Sequence, residues 1–373
     1  MRTLGDFGRL LAAVLAGLLV VGLGAALYPA MPAQAAVAPA GTRASAPAVR
    51  SMPDFGNPNG HVYVPPAARA VSTAHPNHVI GNGTPASCTS AAVVRAVALG
   101  GIITFNCGPK PVTITMTATA KVSNKTRRTV LDGGGLVTLS GGGKIRILYK
   151  NVCDTSDCWE QQWPQLIVQN ITFEDAYSGV RQRANVTDYG GGAIFDYGGQ
   201  LKVVNSRFIN NRCYRNGPDL GGAAIRAYGM YMAAPVYITN DTFRGNRCSN
   251  GAALSGLYAN FQVYNSLMIN NKAIGWGANP ASPGTPGGGS GGAIYTDGDS
   301  YNLIIDGTVM KRNTAREGGG AIFFVVDGGP GELKIEYSTL HHNPSGQFQN
   351  APGIYDSVDG VDTQPVVIHS TIN

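Results

Sequence analysis

The chain has 373 residues, of which 51 are Gly and 22 are Pro, and only 13% are charged. Gly is near twice its usual share of about 7%, and the charged fraction is about half of the usual 25%. This composition argues against a helical bundle, which needs more Glu, Lys, Leu and Ala, and the 43% apolar content argues against disorder. It predicts a β-rich chain with many tight turns.

The formal net charge is +6, but the basic residues are scattered and form no run of Lys or Arg. A basic run is the usual mark of binding to a phosphate backbone, so the sequence predicts no nucleic-acid partner. The mild positive excess suits acidic glycans, although solubility explains it more simply.

Residues 1 to about 35 have the pattern of a secretory signal. Arg2 and Arg9 flank a polar start, an uncharged and mostly apolar run follows over residues 10–27, and Ala33-Gln34-Ala35 supplies the small residues of a cleavage site. A retained anchor is the alternative, because the run approaches the length that spans a bilayer. We predict an extracellular protein, secreted or associated with the cell surface, without stable membrane insertion after signal cleavage.

The segment after the signal changes character twice. Residues 36–86 are rich in Ala, Pro and Ser and predict a linker that is largely disordered. The next stretch predicts a short helix with Ser90 as its N-cap and an end at Gly100-Gly101. Residues 87–373 are predicted to form one domain.

Two short sequence elements recur through this domain every 25 to 41 residues. The first is Gly-Gly-Ala-Ile or a near variant, and its copies begin at Gly191, Gly222, Gly251, Gly291 and Gly319. The second is a polar residue, two further residues and a large apolar one, and its copies begin at Asn170, Asn205, Asn240, Asn265, Asp306, Tyr337 and His369. Another Asn usually follows three residues later, as at Asn211, Asn246, Asn271 and Asn343. This period indicates a solenoid, propeller or array.

A parallel β-helix accounts best for the repeats. The recurring segments are strand-like, which argues against helical repeats, and the variable period argues against a propeller. In a β-helix, extra residues loop out at one corner while the strands stay in register. Equivalent Asn side chains would then stack about 4.8 Å apart and hydrogen-bond as a ladder.

The paired Gly-Gly-Ala-Ile and Phe-x-x-Asn elements resemble the repeats of polymorphic outer-membrane proteins and, more broadly, the pectate-lyase-like superfamily. The segment from Ser87-Cys88 to Cys107, followed by Leu131-Asp-Gly-Gly-Gly135, is similar to the N-terminal cap and first coils of secreted bacterial members. The resemblance covers about residues 87–373 and implies an all-β, right-handed parallel β-helix with a short N-terminal capping helix. It implies no single activity, because the superfamily includes lyases, hydrolases, esterases, epimerases and non-catalytic adhesins.

Six cysteines follow the predicted signal: Cys88, Cys107, Cys153, Cys158, Cys213 and Cys248. An even number in an exported chain predicts three disulfides. Cys213 and Cys248 each end the tripeptide Asn-Arg-Cys five residues after a repeat Phe, so they are predicted to pair between consecutive coils, with an unpaired thiol ladder as the rival. Proximity then predicts the pairs Cys88–Cys107 and Cys153–Cys158. No Cys-x-x-Cys is present, and no metal site is predicted.

The chain has few carboxylates suited to catalysis. In the superfamily that the chain resembles, polygalacturonases carry the motifs Asn-Thr-Asp, Asp-Asp and Gly-His-Gly, and all three are absent here. A lyase of that superfamily would need calcium and a base. Calcium is therefore the one cofactor that we consider. Candidate catalytic residues are Asp188, Asp196, Lys202 and Arg226, with Asp196 and Arg226 expected to be neighbours across two coils. Surface ion pairs or turn residues are the simpler interpretation.

Tyr197, Tyr228 and Tyr258 are 31 and 30 residues apart, which predicts a solvent-facing row on one side of the solenoid. Aromatic faces contact sugar rings and release water readily, so the row is a candidate substrate-binding site; a structural aromatic stack is the alternative. The predicted function is an adhesin-like, monomeric module that binds polysaccharide or cell-wall glycan. The alternative is a polysaccharide lyase or glycoside hydrolase acting on acidic polysaccharide.

Overall fold

A computed structural model describes residues 55–154, 160–179, 190–279 and 285–373. These residues form a parallel β-helix, as predicted, in which the strands of successive coils stack into three sheets. Sheet 1 contains His78–Ile80, Gly101–Phe105, Val112–Thr115, Arg128–Ser140, Gln165–Glu174, Gln200–Val204, Arg207–Ile209, Val236–Thr239, Thr242–Arg244, Phe261–Tyr264, Leu267–Ile269, Asn302–Asp306, Val309–Lys311, Glu332–Glu336, Thr339–His341, Val366–Ile368 and Thr371–Ile372.

Sheets 2 and 3 complete each coil. Sheet 2 contains Ala120–Lys121, Leu148–Asn151, Ile194–Tyr197, Ile225–Tyr228, Leu254–Leu257, Ile294–Asp297, Ile322–Val326, Ile354–Val358 and Val361–Asp362. Sheet 3 contains Tyr177–Ser178, Arg212–Cys213, Arg247–Cys248, Lys272–Ala273 and Thr314–Ala315. Among these strands, Ile354–Val358 and Val361–Asp362 pair antiparallel, and the other strand pairs are parallel.

One continuous core fills the solenoid. Phe173, Phe208 and Phe243 stack in adjacent coils with ring centroids 5.2 and 4.9 Å apart. Each is the large apolar residue of the second repeat element, and each is fully buried. Burial of one such side chain contributes about 1.5–3 kcal/mol, so the repeated element directly encodes the core.

A ladder of buried amides runs beside this core and confirms the predicted Asn ladder. The side-chain Nδ2 of each Asn donates to Oδ1 of the next at 2.9 to 3.1 Å. The members are Asn211, Asn246, Asn271, Asn313 and Asn343. The ladder satisfies polar groups that would otherwise be costly to bury.

The predicted repeat at Asp306 is wrong by one residue. Gly307, with φ of 60°, occupies the bend of sheet 1, where the preceding coils place Asn in the left-handed conformation that Asn and Gly tolerate. Met310 rather than Val309 therefore fills the core. Asn313 follows Met310 by three residues and therefore occupies the ladder position of this coil.

The N-terminal cap is the helix α1, Ser90–Leu99. Its N-cap is Thr89, whose Oγ1 accepts a hydrogen bond from a backbone N–H of the first turn at 3.3 Å. Ser90, the predicted cap, lies inside the helix, and its Oγ accepts from the Thr117 N–H at 2.9 Å. The predicted end is confirmed, because Gly100 is the C-cap with φ of 72°.

Residues 55–86 differ from the predicted linker, because they are packed against the solenoid. We call residues 55–73 the strap; it crosses the outer face of sheet 1 and bonds to one coil after another. Its hydrogen bonds include Gly56 N–H to Thr242 Oγ1, Val62 N–H to Asn265 Oδ1, Val71 N–H to Gln169 Oε1 and Thr73 Oγ1–H to Asp132 Oδ2, at 2.8 to 3.1 Å. The strap has few apolar side chains to bury, so hydrogen bonds to polar side chains of the sheet hold it in place.

Two of the predicted disulfides are confirmed. Cys88 is bonded to Cys107 with a Cα–Cα distance of 5.7 Å. Cys213 is bonded to Cys248 at 4.8 Å, the separation expected of equivalent residues in consecutive coils. Cys158, of the third predicted pair, lies outside the described residues.

Candidate functional site

The predicted tyrosine row lies at the ends of neighbouring strands of sheet 2. Tyr197 and Tyr228 are opposite each other in the ladder, with ring centroids 4.3 Å apart. Tyr258 comes one residue after its strand, since Leu257 is the residue opposite Tyr228. The backbone of Tyr258 has a φ of 54°, and its ring centroid lies 6.2 Å from that of Tyr228. The three rings therefore form a row, although the third position is not equivalent by register.

Exposure to solvent increases along this row. Tyr197 is only 5% exposed, Tyr228 is half-buried and Tyr258 is 45% exposed. The prediction that all three face solvent is therefore wrong for Tyr197, which packs with Tyr149 and Phe195 in a small cluster outside the main core. Tyr258 is therefore the most exposed ring of the row.

Carboxylates surround the exposed end of the row. The Tyr258 N–H donates to the Asp297 carbonyl at 3.2 Å, and a Cβ at Gly298 would come within 3.0 Å of the Tyr258 ring. Burial raises the pKa of Tyr258, and the neighbouring Asp299, Tyr228, Asp297 and Asp327 raise it further. Asp297, Asp299 and Asp327 therefore place carboxylates near the exposed end of the row.

Asp297 is a carboxylate near the row for which the structure shows both a hydrogen-bond partner and a raised pKa. Tyr295 Oη donates to its Oδ2 at 2.7 Å and lies 3.4 Å from Oδ1 of Asp219. Burial raises the pKa of Asp297 to about 7; Asp327 and Asp219 contribute in the same direction, while the Tyr295 hydrogen bond opposes them. Burial thus favours the protonated form of Asp297 well above the usual range of an aspartate.

Arg226 lies on the outer side of sheet 2, in the same row of the ladder as Tyr295. Its Nη1 donates to Ser255 Oγ at 2.7 Å, and its Nε has no hydrogen-bond partner among the described residues. Burial lowers the pKa of Arg226, and the nearby Asp219 and Tyr295 oppose that shift. Arg226 is only 3% exposed, so it supports the face from beneath rather than presenting itself to a ligand.

Asp196 lies elsewhere, although it was expected beside Arg226. In the ladder Arg226 is opposite Phe195, whereas Asp196 is opposite Ala227 and Lys150. Its Oδ1 lies 2.8 Å from Lys150 Nζ, and both side chains are fully buried. Because side chains alternate between the two faces of a strand, Asp196 points into the solenoid while Arg226 points out.

The structure does not bring the remaining candidates to the row. Lys202 belongs to sheet 1, where its Nζ donates to the Ala67 carbonyl of the strap at 3.0 Å. Asp188 lies outside the described residues. Within the described ranges, no group of three or more His, Cys, Asp or Glu side chains is arranged to hold a metal ion.

Sequence reasoning missed Tyr295 and Asp219. The repeat could have identified Tyr295, because Tyr295 directly follows a Gly-Gly-Ala-Ile element, just as Arg226 directly follows a near variant of it. Both residues lie in the same outward-facing row of the ladder. Asp219 had none, because it lies in the loop between Cys213 and the next strand, where the repeats give no register.

Comparisons with protein-family models, with curated proteins and with solved structures find no match to this chain. No helix of the described part is long and apolar enough to cross a membrane.

Proposed function

We propose that this protein is an exported, non-catalytic, adhesin-like module that binds a glycan at the exposed end of the tyrosine row. The observation that carries the proposal is the accessible aromatic surface of Tyr258, backed by Tyr228 and flanked by carboxylates. Aromatic faces contact the C–H groups of sugar rings, and a few polar groups beside them fix orientation. The two disulfides support the exported location.

The charge beside the row favours a neutral sugar. Asp297, Asp299 and Asp327 all act electrostatically on Tyr258, and carboxylates accept hydrogen bonds from sugar hydroxyls. They would repel the carboxylate of a uronic acid. We therefore expect neutral glycans at this row rather than polyuronides.

The alternative, a lyase or hydrolase of the pectate-lyase-like superfamily, requires acid and base groups that converge on one cleft. Asp196, Lys202 and Arg226 instead lie in the core, beneath the strap and beneath the outer face of sheet 2. This separation favours binding over catalysis.

The proposal is tested by calorimetric titration with cellohexaose, xylohexaose and chitohexaose. Tyr258→Ala should weaken binding of the recognised sugar about tenfold, since truncation of a central aromatic contact commonly costs more than 1 kcal/mol. Tyr337→Ala is the matched control, because Tyr337 is 58% exposed on sheet 1 and stacks on His369. Equal loss in both variants, or no binding of any of the three, would contradict the proposal.

A second assay separates the alternative. The protein is incubated with polygalacturonate with and without calcium, and absorbance from unsaturated ends is followed. We expect none, and product formation would support the lyase instead.

A further inference from the structure

Three cations occupy one row on the outer face of sheet 3. Arg212 is opposite Arg247 in the ladder, and Arg247 is opposite Lys272. All three side chains are exposed. They line a groove of about 480 Å³ together with Asn210, Gly245, Asn270 and Asp175.

None of these three side chains forms a salt bridge with another described residue. The salt bridges of the described part, Lys150–Asp196 and Lys334–Glu336, lie on other sheets. Asp175 is the one carboxylate that lines the groove. Like charges directly opposite each other in a ladder are destabilising, so the row costs the fold stability unless an anion neutralises it.

Further cations lie along the adjoining corner, although Ile269 separates Arg244 from Lys311 in the ladder. Arg244 and Lys311 end strands of sheet 1 that lead toward sheet 3, and the exposed Arg312 follows Lys311 directly. The pKa of His341 reports this environment: burial lowers it, and Lys311, His342 and Arg312 lower it further. We call Arg212, Arg244, Arg247, Lys272, Lys311 and Arg312 the cationic strip.

The backbone beneath the strip is held firmly. Cys213 and Cys248 follow Arg212 and Arg247 directly, and their disulfide fixes these two coils at a Cα separation of 4.8 Å. The residues just before them, Asn211 and Asn246, belong to the buried amide ladder. The spacing of the cations is therefore set before any ligand arrives, which reduces the entropy cost of binding.

We propose that the cationic strip binds a linear anionic cell-envelope polysaccharide that lies along the helix axis and carries one phosphate or carboxylate per repeating unit. Cations repeated once per coil match charges repeated along a polymer, and Arg pairs with both kinds of anion in a bidentate manner. The strip and the tyrosine row lie on different sheets and have opposite local charge. This site therefore does not depend on the neutral-glycan proposal.

The test measures binding of the full chain to two probes, a polygalacturonate oligomer and a poly(glycerol phosphate) oligomer of equal charge, over a series of salt concentrations. The triple variant Arg212→Gln, Arg247→Gln, Lys272→Gln should bind the preferred probe at least tenfold more weakly and with a shallower salt dependence. Its matched control is Arg95→Gln, Lys110→Gln, Lys125→Gln, which removes the same charge from exposed positions near the N-terminal cap. Circular dichroism checks the fold of both.

Loss in the first triple alone supports the site, and the better probe identifies the anion. Equal loss in both triples would overturn the proposal, because net charge would then explain the binding. Duplex DNA of equal charge that binds as tightly as either oligomer would overturn the assignment to a polysaccharide. Unchanged binding to the neutral hexaoses in the first triple separates this result from that of the tyrosine row.

Discussion

The residue pair Lys150 and Asp196 shows how a carboxylate at a catalytic-looking position serves the fold. Both side chains are fully buried at 2.8 Å from each other, and Lys150 Nζ also donates to the Gln200 carbonyl at 2.8 Å. Removing two charges from water costs several kcal/mol for each ion, which their attraction offsets only in good geometry with further hydrogen bonds. The pair thus ties a strand of sheet 2 to the start of a strand in sheet 1.

Asp196→Asn should destabilise the protein by about 3–5 kcal/mol, because it leaves the Lys150 ammonium buried without a counter-charge. The free energy of unfolding in urea measures this. The double variant Lys150→Met, Asp196→Leu should recover most of the loss. A loss below about 1 kcal/mol in the single variant would mean that water or another group solvates Lys150.

Asp297 predicts an unusual pH dependence of stability. Its pKa is about 7 in the folded protein and about 3.9 in an unfolded chain. At a pH between these two values, Asp297 is ionised in the unfolded chain but still protonated in the folded protein. The free energy of unfolding should therefore fall as pH rises from about 4 to 7. Asp297→Asn should remove this pH-dependent change of about 4 kcal/mol in the free energy of unfolding. Asp299→Asn, at an exposed position, is the control. Identical pH profiles for wild type and Asp297→Asn would contradict the assignment.

At the scale of elements, the sequence predicts strands and coils well and side-chain direction less well. The Phe and Asn of each repeat identify the core and the ladder because they recur at fixed offsets. A shift of one residue reverses the face to which a side chain points, which is why Asp196 does not lie beside Arg226. The strap lay beyond reach, since its partners are separated from it by about 60 to 200 positions in sequence.

The strap should loosen when one of its side-chain partners is removed. Asn265 Oδ1 accepts from the Val62 N–H, and its Nδ2 donates to the Val62 carbonyl at 3.2 Å. Asn265→Ala should therefore increase proteolysis within residues 55–73 several-fold, because each lost bond contributes about 0.5–1.5 kcal/mol. Asn205→Ala is the control, because Asn205 has a similar φ of 50° and bonds to Asn170 and Asn240 instead. Equal cleavage in both variants would show that backbone strain, not the strap contact, is responsible.

At the scale of the whole molecule, each coil of the solenoid contacts mainly its neighbours, and the strap is an added element that bonds to several coils. Periodicity made the architecture predictable, but binding depends on loops and on exposed rows that the core pattern does not specify. Asp219 and the cationic strip illustrate this, because neither affects the apolar repeat. The sequence therefore constrains the fold more closely than it constrains the binding surfaces.

The same one-dimensional design predicts a gradient of local stability. Among the described residues, Val366–Ile368 and Thr371–Ile372 each pair with a strand on one side only, and Val366 and Val367 are 41% and 44% exposed. The strands that carry the Cys213–Cys248 disulfide, Arg212–Cys213 and Arg247–Cys248, are each paired on both sides. Hydrogen exchange should therefore be fastest over residues 366–372 and slowest near the disulfide, because local opening there breaks more buried contacts.

Replacing both cysteines of that pair with Ser distinguishes this gradient from a single cooperative unfolding unit. The entropy model assigns the cross-link about 3–4 kcal/mol, so exchange should accelerate in the coils around residues 213–248 and stay unchanged over residues 366–372. Acceleration by the same factor in both regions would show that the solenoid opens as one unit. It would also mean that the edge strands owe their stability to the whole stack rather than to their nearest neighbours.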